Sequence, residues 1–160
     1  MANDNPIVSV SPELFEANAK SIRARIAEIA FCQLIGSELD ELGPGTCTAS
    51  VARRPELLQY LGMFHGGVTA YLIDHATTVA AATILKPGQA VLTAEYKLNL
   101  LAPATGERLV CRARVIRPGN NMTVVAADVF SIADGREKQT AAALATIAVV
   151  ESAKLPAENG

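Results

Sequence analysis

Apolar residues recur at helical spacing near the start of the chain and form one stripe between positions 14 and 29. Ser11 can cap a helix that begins there, because its side-chain oxygen can accept a hydrogen bond from a free backbone N–H, and Pro12 suits the first helical position. The stripe consists of Leu14, Phe15, Ile22, Ile26 and Ile29. This spacing predicts an amphipathic helix that lies on another element.

The middle of the chain contains a second, much more apolar helical pattern. Residues 31–52 predict two strands joined by a turn at "LGPG", and residues 53–63 predict an irregular connection. A helix is then predicted from about Gly66 to Leu85, where Pro87 and Gly88 end it. Because this helix is apolar on most sides, other elements must cover it.

Polar and apolar residues alternate in the second half, which is typical of strands. In the first of these segments, Leu92, Ala94, Tyr96, Leu98 and Leu100 fall on one side, and Thr93, Glu95, Lys97 and Asn99 on the other. Three further segments follow, joined by short turns that each contain glycine. The pattern predicts an α+β fold, with four successive antiparallel strands in a meander and a curved sheet wrapped around the apolar helix.

Length and composition then limit the possible classes of protein. The 160 residues suit one domain, with a flexible leader at 1–10, the domain at 11–151 and a flexible tail at 152–160. A formal net charge of −2 does not indicate a face for nucleic acid. Three cysteines without a CxxC pattern argue against disulfides and a zinc ribbon. With neither a signal peptide nor an apolar run of about 18 residues, we expect a cytoplasmic protein without a membrane partner.

Two features of the central helix suggest chemistry. Gly66 and Gly67 stand where the helix begins, so its unpaired N–H groups could bind a carbonyl oxygen or an oxyanion. Asp74 lies among apolar residues, where a buried carboxylate is either hydrogen-bonded or faces a cavity. The alternatives are a glycine-rich helix entry without a ligand and a hydrogen-bonded structural aspartate.

The spacing of these features has a consequence for assembly. Gly66 and Asp74 are eight residues apart, a rise of roughly 12 Å along a helix, which is too far for both to act on one carbonyl. They could meet if two copies of the helix ran antiparallel about a two-fold axis near Ala70. An active site here therefore predicts a dimer as the smallest active unit.

The segment "HGGVTAYLID" resembles the motif of hotdog-fold acyl-CoA thioesterases, with an aspartate nine residues after the histidine. The phenylacetate-degradation (PaaI-like) group is the most similar. Gln59 stands where this family has Asn or Gln, and "VLTAEYKLNLLAPATGE" resembles the strand after its central helix. The resemblance covers roughly residues 30–150 and implies a hotdog fold: a curved antiparallel sheet around a long central helix, here with an extra N-terminal helix.

The resemblance also implies roles for individual residues. The Gly66 N–H would polarise the thioester carbonyl, Gln59 would lie near that carbonyl or hold water, and Asp74 of a second subunit would be the nucleophile or general base. Thr78 would position water, and Thr93 would lie close to the thioester. His65 and Gly67 would organise the substrate loop, while His75 is expected to pack or lie at an interface. No metal or cofactor is implied, coenzyme A being part of the substrate, and a homodimer is expected as the minimal active unit within a homotetramer.

One departure from the family concerns coenzyme A. Relatives often have Gly-Arg or Gly-Lys in the hairpin after the fourth strand, whereas this chain has "RPGNN". Arg117 and Asn120 could replace that cation in contacts with the phosphates. The other arginines, at 53, 54, 112 and 114, could belong to a solvated face or to the coenzyme A path.

Two other functions fit the same fold. One is an acyl-CoA-binding protein that does not cleave its ligand, although Asp74 and Gln59 favour an active site. The other is a hydratase or dehydratase that needs an Asp and a His to converge. Asp74 and His75 are adjacent, and adjacent helical residues do not face each other.

Overall fold

The computed structural model describes residues 7–155. Its helices are α1 (Pro12–Glu28), α2 (Ala30–Ile35) and α3 (Gly66–Ala82), with short 3₁₀ turns at Pro55–Leu57 and Ser152–Lys154. Its strands are β1 (Ser37–Gly43), β2 (Thr46–Ala52), β3 (Gln89–Leu100), β4 (Arg108–Arg117), β5 (Met122–Ala133) and β6 (Arg136–Glu151). Each helix within residues 7–155 is too short or too polar to span a membrane. The predicted leader and tail lie partly outside this range and stay predictions.

The first helix forms as predicted, and the next segment does not. The Ser11 hydroxyl accepts a hydrogen bond from the Leu14 N–H at 3.2 Å and caps α1. The strand predicted to begin at Phe31 is wrong, because residues 30–35 form α2. Gly36 ends α2 in the left-handed conformation, with φ 71°, and β1 starts at the next residue.

The sheet has six antiparallel strands in the order β1-β2-β4-β5-β6-β3. The predicted four-strand meander is correct for β4, β5 and β6 and wrong for β3, which pairs with β6 rather than with β4. Strand β3 thereby becomes an edge of the sheet. Within residues 7–155, the edge of β3 that faces away from β6 has no partner strand.

A β-bulge in β3 changes which side chains face the helix. The register shifts between Thr93 and Glu95. Before the bulge, Thr93 is partly covered while Leu92 is 49% exposed, and after it Tyr96 and Leu98 are partly covered. The predicted single face from Leu92 to Leu100 is therefore wrong, because one extra residue reverses the alternation.

The core lies between α3 and the concave face of the sheet. Leu72, Ile73, Ala76 and Ala80 of α3 are fully buried against inward side chains of the strands. The polar Thr83 is buried as well, and its hydroxyl accepts from the Gly45 N–H at 2.8 Å while donating to the Ala80 carbonyl at 2.7 Å. A long helix wrapped by a curved antiparallel sheet is the hotdog architecture expected from the sequence.

Substitution of Gly106, which lies just before β4, is predicted to have a large effect on stability. A Cβ at Gly106 would lie 2.1 Å from the Ile132 carbonyl oxygen and 2.6 Å from the Ser131 hydroxyl. Both neighbours belong to β5, so the backbone would have to shift. Gly106→Ala is expected to lower the free energy of unfolding by about 3 kcal/mol in a denaturant titration.

The matched control for this prediction is Gly66→Ala. A Cβ at Gly66 would meet only the Leu100 side chain, at the ordinary contact distance of 3.6 Å. We expect this variant to unfold within about 1 kcal/mol of the parent. Equal stability of the two variants would show that the crowding at Gly106 relaxes without cost.

Candidate active site

The N-terminus of α3 presents a free hydrogen-bond donor. His65 is the N-cap residue, and its Nδ1 accepts a hydrogen bond from the Gly67 N–H at 2.9 Å. The Val68 N–H donates to the His65 carbonyl, also at 2.9 Å. Among the described residues, the Gly66 N–H has no acceptor. The histidine thus satisfies the next donor and leaves the Gly66 N–H, at the positive end of the helix dipole, for a ligand.

The loop before α3 is folded by its own hydrogen bonds. The Gln59 side-chain oxygen accepts from the Leu61 N–H at 2.8 Å, and the Gln59 N–H donates to the Met63 carbonyl at 2.9 Å. The Arg53 guanidinium donates to the Gly62 carbonyl and, at 3.0 Å, to the Thr105 carbonyl. Gln59 is therefore held beside the helix start, with its side-chain NH₂ unused by the hydrogen bonds of this loop.

A chain of hydrogen bonds ends on Asp74. The Thr93 hydroxyl donates to Asp74 Oδ1 at 2.6 Å, and the hydroxyls of Thr78 and Thr93 are 2.9 Å apart. Since a hydroxyl has one proton and Thr93 gives it to the carboxylate, Thr78 is the donor to Thr93. The Thr93 contact orients one carboxylate oxygen and leaves Oδ2 outside this chain. The bulge in β3 is what brings Thr93 to this side of the sheet.

Asp74 and His75 diverge. The His75 ring stacks on Tyr71 with centroids 5.6 Å apart, and its Nδ1 lies 4.0 Å from the Cys32 sulfur. Burial lowers the pKa of His75, although the nearby charge of Asp74 acts in the opposite direction. Burial also shifts the pKa of Tyr71, which it raises. His75 therefore packs between α3 and α2, and within residues 7–155 it forms no hydrogen-bonded pair with Asp74.

Gly66, Ala70, Asp74 and Thr78 follow one another at intervals of four along α3 and are all partly exposed. The positions that face the sheet are buried instead. Along a helix, Gly66 and Asp74 are roughly 12 Å apart, so one chain does not bring the free N–H and the carboxylate together. The two halves of the predicted site thus lie on one face of the helix and point away from the core.

A cavity lies at each end of this face. The Gly66 cavity, of about 420 Å³, is lined by Gln59, Met63, Phe64, Gly66, Thr69, Leu100, Leu101, Ala102, Pro103, Ala104 and Thr140. The Thr78 groove, of about 450 Å³, lies between α1, the C-terminal half of α3 and the start of β3. Its apolar walls include Ile22 and Val79, and the cations Arg25 and Lys86 are at its border.

Arg117 and Asn120, which the sequence suggested as contacts for coenzyme A, line neither the Gly66 cavity nor the Thr78 groove. Asn120 lines a third, smaller cavity of about 190 Å³, which shares Lys86 and Gln89 with the Thr78 groove. Arg117 is exposed at the end of β4. Lys86 was not singled out from the sequence, because its position depends on how the turn after α3 folds.

Most of the other arginines make intramolecular contacts. Arg54 donates to the Leu34 carbonyl. Arg112 pairs with Glu137 at 2.5 Å on the outer face of the sheet. In residues 7–155 no three metal-binding side chains converge, and the expectation that the protein needs no metal stays a prediction.

Known proteins share both the sequence pattern and the fold. A model of the thioesterase superfamily matches residues 61–138. A thioesterase family protein from Silicibacter pomeroyi is 32% identical, with a TM-score of 0.82 over 84% of this chain and 99% of that one. The 1,4-dihydroxy-2-naphthoyl-CoA hydrolase of Listeria monocytogenes is 28% identical over 76% of this chain and 97% of its own length.

More distant relatives match in fold or in sequence. The PaaI protein of the E. coli phenylacetic acid degradation operon superposes with a TM-score of 0.76 at 18% identity, over 86% of this chain and 96% of its own. Human acyl-coenzyme A thioesterase 13 is 27% identical over 58% of this chain and 66% of its own length. The described structure and these similarities agree that the chain is a hotdog-fold thioester hydrolase and belongs to the thioesterase superfamily.

Proposed function

We propose that the protein hydrolyses an acyl-CoA thioester at a site formed by two copies of the chain. The observation that carries this proposal is the free Gly66 N–H on the same partly exposed helix face as the threonine-held Asp74 carboxylate. Relatives named as hydrolases of acyl-coenzyme A and of 1,4-dihydroxy-2-naphthoyl-CoA support coenzyme A as the thiol carrier.

The second copy is needed to complete the site. Two α3 helices that run antiparallel about an axis near Ala70 place Gly66 of one subunit opposite Asp74 of the other. The small side chain of Ala70 allows close approach. The edge of β3 that has no partner strand among residues 7–155 offers hydrogen bonds for a second β3. Such a dimer has two equivalent sites. A homotetramer and a cytoplasmic location remain predictions.

The chemistry then follows from the charges. The thioester carbonyl oxygen accepts a hydrogen bond from the Gly66 N–H, which stabilises the oxyanion when the carbonyl carbon is attacked. Two routes are then open to Asp74 of the other subunit. It either takes a proton from water, so that hydroxide attacks the carbonyl carbon, or its carboxylate attacks that carbon directly and forms a mixed anhydride that water then cleaves. Both routes break the C–S bond, release coenzyme A as its thiol and yield the free acid.

Gln59 and the two threonines assist these steps. Gln59 stands beside Gly66, where its side-chain NH₂ can bind the carbonyl oxygen or the attacking water. Thr93 fixes the orientation of the Asp74 carboxylate, and Thr78 fixes Thr93. His65 and Gly67 keep the helix start in shape.

The phosphates of coenzyme A need cationic side chains to bind them. The cationic residues at the Thr78 groove are Arg25 and Lys86. Among the described residues, none that lines the Gly66 cavity is charged. We therefore assign the acyl group to the Gly66 cavity. We assign the coenzyme A portion to the Thr78 groove, with Asn120 and Arg117 beyond Lys86.

The role of Thr93 yields a testable prediction. Thr93→Val keeps the shape of the side chain and removes the donor to Asp74, so the carboxylate loses its orientation. We expect kcat to fall by about tenfold, whereas Thr93→Ser, which keeps the hydroxyl, should stay within about threefold of the parent. Equal activity of the Val and Ser variants in a thiol-release assay would show that the hydrogen bond has no role in turnover.

The proposed activity itself is tested by thiol release from a panel of acyl-CoAs: phenylacetyl, hydroxybenzoyl, and short, medium and long chains. The parent is expected to release coenzyme A from at least one member. Binding without release from every member would replace the proposal with a non-catalytic acyl-CoA-binding protein. The Asp74→Asn variant measured beside it excludes release by a contaminating enzyme.

A further inference from the structure

One guanidinium joins two segments that form much of the lining of the Gly66 cavity. The first segment lies within residues 59–64, and the second is residues 100–104. The Arg53 side chain donates to the Gly62 carbonyl of the first segment and, at 3.0 Å, to the Thr105 carbonyl directly after the second. Arg53 itself lines neither the Gly66 cavity nor the Thr78 groove. It therefore influences the cavity from behind, through the backbone of these two segments.

The tip of the first segment is a tight turn, the Gln59 turn (residues 59–62). The Gly62 N–H donates to the Gln59 carbonyl at 2.9 Å, and Gly62 has a φ of 76°, which glycine adopts without strain. Tyr60 and Leu61 are 94% and 63% exposed, so side-chain packing does not hold this turn. Within residues 7–155, the one hydrogen bond that joins the turn to a segment outside residues 57–65 comes from Arg53.

The stem of the same loop is fixed independently of Arg53. There the Phe64 N–H donates to the Ala104 carbonyl at 2.9 Å. Gln59 stands between this stem and the tip, and its side-chain oxygen accepts from the Leu61 N–H at 2.8 Å. The direction of its side-chain NH₂ therefore depends on the position of the tip.

An arginine is well suited to hold the tip in place. Its planar guanidinium carries five N–H donors on a rigid fork, so one side chain can bind carbonyls of two separate segments. Hydrogen bonds from a charged donor are also stronger than those between neutral groups. Nη1 of Arg53 contacts the carbonyls of Thr105 at 3.0 Å and Gly106 at 3.3 Å, while Nη2 contacts that of Gly62. The fork thus forms a bridge between the Gln59 turn and the segment before β4.

We infer that Arg53 is a positioning residue for the reaction: it holds the Gln59 turn so that the Gln59 NH₂ meets the thioester carbonyl or the attacking water. This inference rests on the proposed function, in which Gln59 assists at the carbonyl. It goes further, because it assigns the placement of Gln59 to a side chain that lies outside both cavities. A displacement of about 1 Å is enough to cost an assisting group much of its effect.

The test is a double-mutant cycle between Arg53 and Gln59, with kcat and KM measured by thiol release. Arg53→Met keeps an unbranched side chain and removes every donor, and it is expected to lower kcat by about tenfold and to leave KM within about threefold. Gln59→Ala removes the group through which Arg53 acts. In that background, Arg53→Met is expected to lower kcat by less than about twofold, because the two changes affect one and the same contact.

The matched control is Arg54→Met. Arg54 is the next residue in the chain and donates to the Leu34 carbonyl, and among the described residues it makes no hydrogen bond to the Gln59 turn. The same charge is lost, and kcat is expected to stay within about twofold of the parent. Equal losses of kcat in Arg53→Met and Arg54→Met would assign the effect to charge and overturn the inference. A rise in KM at unchanged kcat in Arg53→Met would also overturn it, because Arg53 would then be a contact for coenzyme A.

A second readout does not depend on activity. Chymotrypsin cleaves after aromatic residues, and Tyr60 is exposed at the tip of the turn. Cleavage of the folded protein at Tyr60 is expected to be about fivefold faster in Arg53→Met than in the parent or in Arg54→Met, because the tip opens more often. Equal cleavage rates would show that Arg53 does not hold the turn. Should Arg53→Met fail to fold, Arg53→Lys, which keeps the charge without the planar fork, takes its place, with an expected effect of about threefold in both experiments.

The outcomes separate the inference from the proposed function. Hydrolysis by the parent, together with unchanged kcat in Arg53→Met or an equal loss of kcat in both backgrounds, would overturn the role of Arg53 and leave the thioesterase standing. Absence of hydrolysis with the whole acyl-CoA panel would overturn the proposed function and this inference with it.

Discussion

Asp74→Asn is expected to lower kcat by at least about a hundredfold, the usual scale of an acid, base or nucleophile at a reacting centre. The substitution is conservative in structure, because the amide oxygen can still accept the hydrogen bond that the Thr93 hydroxyl now gives to Oδ1 at 2.6 Å. What is lost is the negative charge and with it the ability to take a proton or to attack a carbonyl carbon. Thiol release under saturating acyl-CoA measures the effect.

The matched control for this variant is Asp128→Asn. Asp128 lies on β5 and accepts a hydrogen bond from the Gln139 side chain at 2.7 Å on the outer face of the sheet. The same change of charge there should leave kcat within about twofold. If Asp74→Asn kept the parent's kcat, Asp74 would be a structural aspartate, the alternative that its position among apolar residues also allowed.

Gly66→Pro is expected to lower kcat by about a hundredfold to a thousandfold, as the loss of one oxyanion donor does elsewhere. Proline removes the N–H and is well suited to the first position of a helix, where no intrahelical hydrogen bond is lost. His65, with φ −64° and ψ 139°, already has the extended conformation that a residue before proline prefers. The variant therefore deletes one donor and should leave α3 in place.

Gly66→Ala separates the donor from the added bulk. It keeps the N–H and adds a Cβ that makes an ordinary contact with Leu100 at 3.6 Å. We expect much smaller loss of kcat in this variant than in the proline variant. Equal losses would mean that the side chain blocks the substrate, and unchanged kcat in Gly66→Pro would remove the oxyanion role from this N–H.

Much of the fold could be predicted because its signals are local. The cap at Ser11, the alternation in β4 and β5 and the glycine-containing turns each depend on a few neighbouring residues. The pairing of β3 with β6 could not be predicted, since it joins segments about 50 residues apart and no local pattern encodes the partner. The short α2 was missed because six mostly apolar residues fit a buried strand equally well.

The residues of the candidate site also divide into those that have a local sequence signal and those that have none. Gly66 and Asp74 were identified from the helix entry and the buried charge, and the resemblance added Thr93. The simple alternation placed Thr93 on the face opposite Tyr96, and only the bulge between Thr93 and Glu95 brings it to Asp74. Lys86 has no distinctive sequence signal, because a lysine before Pro-Gly has many structural uses.

In the proposed dimer, each active site takes Gly66 from one subunit and Asp74 from the other. Mixing Gly66→Pro and Asp74→Asn chains, each inactive alone, and assaying thiol release after the subunits exchange tests this sharing. Half of the dimers are then mixed, and each has one intact site, so about a quarter of the parent's activity should return. Mixed dimers, identified by two different tags, that remain inactive would contradict the shared site.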